Sequence, residues 1–322
     1  METLPLFDDP PAFDRMTLAA KLTALAEKGI YLGGSSWKYE GWLGQIYRLE
    51  RYITRGKFSK KRFEATCISE YAETFRLVCG DFSFYQFPSP EFWRKLFDSA
   101  PPTLKFGLKV PEEITCKRFP NHPRYGARAG QDNPSFLNAE AFEALFLQPL
   151  APYMDRLAVL IFEFGTFSKQ TYAEPQQFFA DLAEFLAKLP PGFRYSVEIR
   201  NQDYLLPEYF ETLRTHRVAH VFNAWTRMPT LAAQTQIPDA FTADFTVARA
   251  LLRQGRPYEL AVKTFSPYTE TKDENPEARA ALRELMVRAQ RMGQTAYLFV
   301  NNRLEGNAPL TIQAVTGSGA DL

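Results

Sequence analysis

Apolar runs of strand length alternate with helical patterns along almost the whole chain, and this alternation constrains the fold more than any other feature. The strand-like runs fall at 30–34, 77–84, 104–110, 157–164, 194–199, 218–223, 259–264 and 295–301. Between them lie amphipathic patterns at 17–28, 60–75, 90–99, 139–146, 175–189, 207–216, 276–292 and 308–315, several with a proline near the start, where a helix tolerates it. Strands that are apolar on both faces belong in a sheet covered on both sides. About eight such units in 322 residues fit a TIM-like (β/α)8 barrel better than an open doubly wound sheet.

No composition break or flexible linker divides the chain. The expected organisation is an N-terminal arm over 1–16, a single barrel domain over 17–316 and a short tail over 317–322. Thr17 is the expected cap of the first helix and Gly29 its expected terminator. Two long excursions, 111–138 and 265–276, follow the third and seventh expected strands and would overhang the active face of a barrel.

Composition narrows the function classes. Net charge is +1, so no global field draws the chain to nucleic acid or to an anionic membrane, and nucleic acid is a disfavoured partner. No apolar run reaches the length of a membrane span, and the acidic, proline-rich start lacks the regions of a signal peptide. Cys67, Cys79 and Cys116 form no CxxC pair, which suits a reducing cytoplasm. The GxSxG, GxxxxGK[ST] and GxGxxG signatures are absent, and three histidines (His122, His216, His220) are too few and too scattered for a zinc cluster. No cofactor and no metal are called for. The 28 Phe and 15 Tyr are first of all core rings.

Polar residues mark the ends of the expected strands. Glu198 and Arg200 share one face of 194–200, while Val197 and Ile199 share the other. Lys109, Glu163, Lys263, Asn301 and Asn302 end other runs, and Asp81 interrupts the second. In a barrel these side chains converge at the C-terminal face. Glu198 would be an acid or base, with Lys109 and Lys263 as electrostatic or nucleophilic groups. Arg200 would anchor an anion. The competing reading is an ion-pair network that only braces the strands, in which Glu163 meets Lys169 at the rim. The other dense feature is Gly33-Gly-Ser-Ser-Trp37-Lys-Tyr39-Glu-Gly-Trp42, where glycines admit a ligand between aromatic rings.

These blocks, together with FSFYQFP at 82–88, FGLKVPEEIT at 106–115, VEIR at 197–200 and FVNNRLEGNA at 299–308, resemble the YecE-like family, known as domain of unknown function 72. The resemblance implies a TIM-like barrel and pocket positions at Trp37, Tyr39, Trp42, Tyr85, Lys109, Glu198, Arg200, Asn301 and Asn302. It brings no established reaction. The chain also departs from the family pattern: Cys79, Asp81, Cys116, Asn201, Asn223 and Lys263 stand where other residues are usual, Lys263 in place of a seventh-strand arginine. The expected function is a cytoplasmic barrel enzyme, of hydrolase or lyase type, acting on a small polar or anionic metabolite such as a sugar derivative or phosphate ester. The alternatives are a non-catalytic ligand-binding barrel and, from fold analogy alone, an endonuclease-like protein.

Overall fold

The computed structural model describes residues 13–317, so most of the expected arm and the tail beyond 317 lie outside the described residues. Eight strands close into a barrel in the order β1-β8-β7-β6-β5-β4-β3-β2, every neighbouring pair parallel. They are β1 Ile30–Gly34, β2 Leu77–Gly80, β3 Lys105–Lys109, β4 Leu157–Glu163, β5 Tyr195–Glu198, β6 Ala219–Ala224, β7 Phe245–Ala250 and β8 Thr295–Val300. Helices α1 Arg15–Glu27, α2 Lys60–Thr74, α3 Pro90–Ser99, α4 Pro175–Ala187, α5 Pro207–Thr215, α6 Tyr258–Phe265, α7 Pro276–Arg291 and α8 Ala308–Gly317 surround it; all but α6, together with an irregular helical stretch over 139–150, account for the amphipathic patterns.

Three boundaries differ from expectation. The first helix starts at Arg15, capped by Asp14, whose Oδ1 accepts from the Thr17 amide at 2.9 Å; Asp14 therefore takes the role expected of Thr17. Gly29 does follow the helix with φ +81°, the conformation a helix-ending glycine supplies. The second strand stops at Gly80, and Phe82–Phe84 turns away as a short 3₁₀ segment. The third difference matters most. The run 259–264 is not a strand but part of α6, and the seventh strand is Phe245–Ala250.

Two cores result from the alternation of side chains along each strand. The larger lies between strands and helices and is rich in rings, among them Trp93, Phe142, Phe162 and Phe185. The smaller fills the barrel itself with Leu77, Cys79, Val159, Ile161, Val221, Val247, Tyr297 and Phe299. Two glycines are required by this packing. A Cβ on Gly33 would stand 1.8 Å from the Leu77 carbonyl oxygen, and one on Gly107 would stand 2.4 Å from the ring of Phe299. Phe299 thus occupies the barrel centre, and the interior is solid.

Candidate functional site

Directly above that apolar filling, the inward register continues into polar residues. Asp81 follows Leu77 and Cys79, Lys109 follows Gly107, and Glu163 follows Val159 and Ile161. Glu198 follows Ser196, Asn223 follows Val221, and Arg249 follows Val247. Strand register sets Glu163 beside Glu198 and Asn223 beside Arg249. The C-terminal mouth of the barrel is therefore floored by a layer of charge.

Arg249 sits at its centre with a side chain only 2% exposed. Its Nη1 donates to Glu163 Oε2 at 2.5 Å and to Glu198 Oε2, while Nη2 reaches Asp81 Oδ1 at 3.3 Å. Lys109 Nζ lies 2.9 Å from Glu163 Oε2 and 3.9 Å from Asp81, under the ring of Phe84 at 3.7 Å. Arg200 Nη2 bridges Glu163 Oε2 at 2.8 Å and Glu198 Oε1 at 3.0 Å, with its guanidinium stacked 3.7 Å from the centre of the Trp225 ring. Three carboxylates thus interlock with three cations. Burial of unpaired charge is costly, and reciprocal pairing is what allows the layer to exist.

The electrostatics follow from that pairing. Burial would raise the Glu163 carboxyl, but Arg200, Lys109 and Arg249 outweigh it and hold the group well below the usual carboxylate range. Burial opposes the charge on Arg249, yet the carboxylates of Glu198 and Glu163 keep it protonated, well above its ordinary value. Burial pushes the Cys79 thiol up to about 12, so at neutral pH it is an inert filler beneath the layer. Among the described residues no group of three or more His, Cys, Asp or Glu is arranged to hold a metal ion.

A cavity of about 230 Å³ opens beside Glu163, between the connections that follow β3 and β4. Its wall carries Phe84, Glu112, Lys117, Arg118 and Arg124, so part of the 111–138 excursion does border the charged layer. Arg124 pairs with Glu112 at 2.7 Å, and Lys117 with Asp181 at 3.3 Å while lying over the ring of Tyr172. Asp81 lines a second cavity of about 370 Å³ with Trp37 and Phe82, and Arg200 lines a third, also about 370 Å³.

The expected site residues divide into groups. Glu198, Lys109, Arg200, Asp81 and Glu163 converge in the layer, although Glu163 pairs with Lys109, Arg200 and Arg249 and not with Lys169. Trp37 and Trp42 are buried, Trp42 between the rings of Tyr47 and Tyr71. Tyr39 packs on Trp42 at 4.8 Å, and Tyr85 stands exposed under Arg124. Asn302 Oδ1 accepts from Trp42 Nε1 at 3.2 Å and from the Ala308 amide at 2.8 Å, while Asn301 Oδ1 accepts from the Arg303 amide at 2.9 Å. Both asparagines brace the turn after β8.

Lys263 does not belong to the site. It lies exposed on α6, because the segment that carries it is helical. The seventh-strand cation is Arg249, so the presumed loss of an arginine at that strand is no loss. Lys117, Arg118, Arg124 and Trp225 also escaped the sequence reading, since they come from connections and carry no strand-end signal.

A family described as "Protein of unknown function DUF72" matches residues 31–318. A DUF72 family protein from Thermotoga maritima shares the fold with a TM-score of 0.56 and 21% identity, covering 89% of this chain and 98% of its own. One from Enterococcus faecalis gives a TM-score of 0.56 and 19% identity, covering 91% and 97%. No curated protein matches the chain.

Proposed function

The chain belongs to DUF72, a family of unknown function, and from the geometry of its barrel mouth we propose that it binds a small polar or anionic molecule in the cavity beside Glu163. The observation that carries this reading is the meeting, on one cavity wall, of Glu163 with three cations from the 111–138 excursion: Lys117, Arg118 and Arg124. The pairs that Lys117, Arg118 and Arg124 make with carboxylates are partly exposed, and such pairs contribute little in water. An incoming carboxylate or phosphate can take their place at small cost and gain bidentate contacts from arginine. Sugar derivatives and phosphate esters remain the ligand classes that match a wall of this polarity.

A catalytic form of the reading rests on Glu163 in preference to Glu198. Glu198 is wholly buried behind Arg200 and Arg249, whereas Glu163 faces the cavity as an ionised carboxylate. A carboxylate held that far down is a weak base, so turnover requires the ligand to draw Arg200 or Lys109 away from it.

Thermal-shift screening with sugar phosphates and small carboxylic acids tests the proposal. A ligand that raises Tm for the native chain, and loses its effect in Arg124→Ala and Lys117→Ala, supports it. A panel without any shift, or a shift indifferent to both substitutions, defeats it. Product analysis of the same mixtures then separates binding from turnover.

A further inference from the structure

The neutral balance of the whole chain conceals one strongly polarised segment. Residues 54–62, Thr-Arg-Gly-Lys-Phe-Ser-Lys-Lys-Arg, hold five cations and no acid, so against a whole-chain charge of +1 the remaining residues sum to −4. The segment spans the end of the connection from β1 and the first turn of α2, and that connection leaves β1 at the barrel's C-terminal mouth.

Its local structure keeps these charges at a cost. Ile53–Thr54 pairs antiparallel with Lys57–Phe58, and the tight turn between them is Arg55-Gly56. Both turn residues have positive φ, +52° and +76°, the geometry for which Asn-Gly is favoured and arginine is not. Lys60, Lys61 and Arg62 then form the first turn of α2, which contains no acidic residue. Cations there oppose the helix dipole, which favours acids at that end. Among the described residues, Arg55, Lys57 and Lys61 join no ion pair, and Lys60 has only loose contacts with Glu40 at 3.5 Å and Glu64 at 4.0 Å. All five side chains lie on exposed residues. Two separate costs thus keep a block of cations in water, and inside the fold they yield only the loose Lys60 contacts and a donation from Arg62 Nη1 to the Ile53 carbonyl at 3.4 Å.

We propose that this hairpin and the start of α2 form a docking surface for the phosphate backbone of nucleic acid. Arginine and lysine fix such a partner through its phosphates without reading sequence, and the free amides of a helix start add donors for the same oxygens. A lipid surface suits it less well. The hairpin tip is Thr54-Arg55-Gly56-Lys57, with no large apolar side chain to insert, and Phe58 turns inward against Phe63.

The test uses the full-length chain with a fluorescein-labelled 20-base-pair DNA duplex, a labelled 20-nucleotide single-stranded RNA and phosphatidylserine vesicles. We expect at least one nucleic acid to bind at 50 mM salt and to lose about 10²-fold in affinity by 200 mM. In Arg55→Asn/Lys61→Glu both conformational costs are relieved. Its Tm should match or exceed that of the native chain, while the slope of log affinity against log salt falls by about two. Lys57→Gln should lower that slope by about one with Tm unchanged. The proposal is overturned if neither nucleic acid binds at 50 mM salt, if binding ignores these substitutions, or if only the vesicles bind.

Discussion

Arg249 neutralises Glu198 from inside the barrel, through the same Nη1 that reaches Glu163 at 2.5 Å, so a single buried nitrogen links the ends of β4, β5 and β7. Neither Arg249 nor Glu198 has more than 2% of its side chain exposed. Removing one partner therefore leaves the buried layer with one charge in excess where water cannot compensate it, although Arg200 still reaches Glu198 and Glu163 still reaches Arg249.

Arg249→Met should accordingly lower unfolding free energy by about 3–5 kcal/mol. Adding Glu198→Gln should recover much of that loss, because the second substitution restores the balance of two carboxylates against two cations in the layer. Urea denaturation of the two single variants and the double variant measures the coupling. Strictly additive losses would show that the two side chains do not act as a pair.

Glu163 gives the fold an acid limb. Its carboxyl is depressed in the folded state, so its contribution is complete above the unfolded value of about 4.3 and is lost as pH falls below it. Glu163→Gln should be less stable than the native chain at pH 7, and the gap should narrow as pH drops through 4. Equal pH slopes for the two proteins would contradict this assignment.

His220 adds a limb of the same sign over a different window. Burial against Tyr209, Phe210 and Phe222 lowers its pKa to about 3, so the folded protein keeps it neutral. The unfolded chain takes up a proton near its usual value of about 6.5. Stability from the neutral ring is present above that value and declines as pH falls toward 3, by at most about 1.4 kcal/mol per pH unit. His220→Gln should flatten the profile between pH 6.5 and 4.5, read by denaturation at fixed pH.

Asn302 and Lys263 provide opposed controls. Asn302→Ala leaves the Trp42 and Ala308 donors without their acceptor and should cost about 1–3 kcal/mol while sparing ligand affinity. Lys263→Ala changes an exposed position on α6 and should stay within about 0.5 kcal/mol of the native chain, with binding unaffected. Calorimetry of both variants with the screened ligand distinguishes brace from bystander.

The fold was legible wherever burial on both faces made a strand continuously apolar, as in Leu157–Glu163 and Thr295–Val300. It was illegible at β7, where Thr246 and Arg249 break the run Phe245–Ala250. The competing stretch 259–264 offers the longer unbroken apolar run, Leu260-Ala261-Val262, but Leu260 is 51% exposed and Pro257 caps a helix. Six residues are too few for period alone to separate strand from helix. The same error hid Arg249, the residue on which the layer turns. Glu163, Glu198, Lys109 and Arg200 were found because a charge ending an apolar run announces itself. Arg124 and Lys117 were not, since a loop gives a side chain no register from which its direction can be read.

The ring of Phe299, seated over Gly107, has an electrical consequence. It removes water from the barrel axis, so the charges above it face a poorly polarisable plug on one side and solvent on the other. Their field is consequently driven outward through the mouth and not dissipated along the axis. An ion arriving there meets three charges of each sign, so what it senses is their local arrangement at the mouth, which the near-zero net charge of the chain does nothing to suggest.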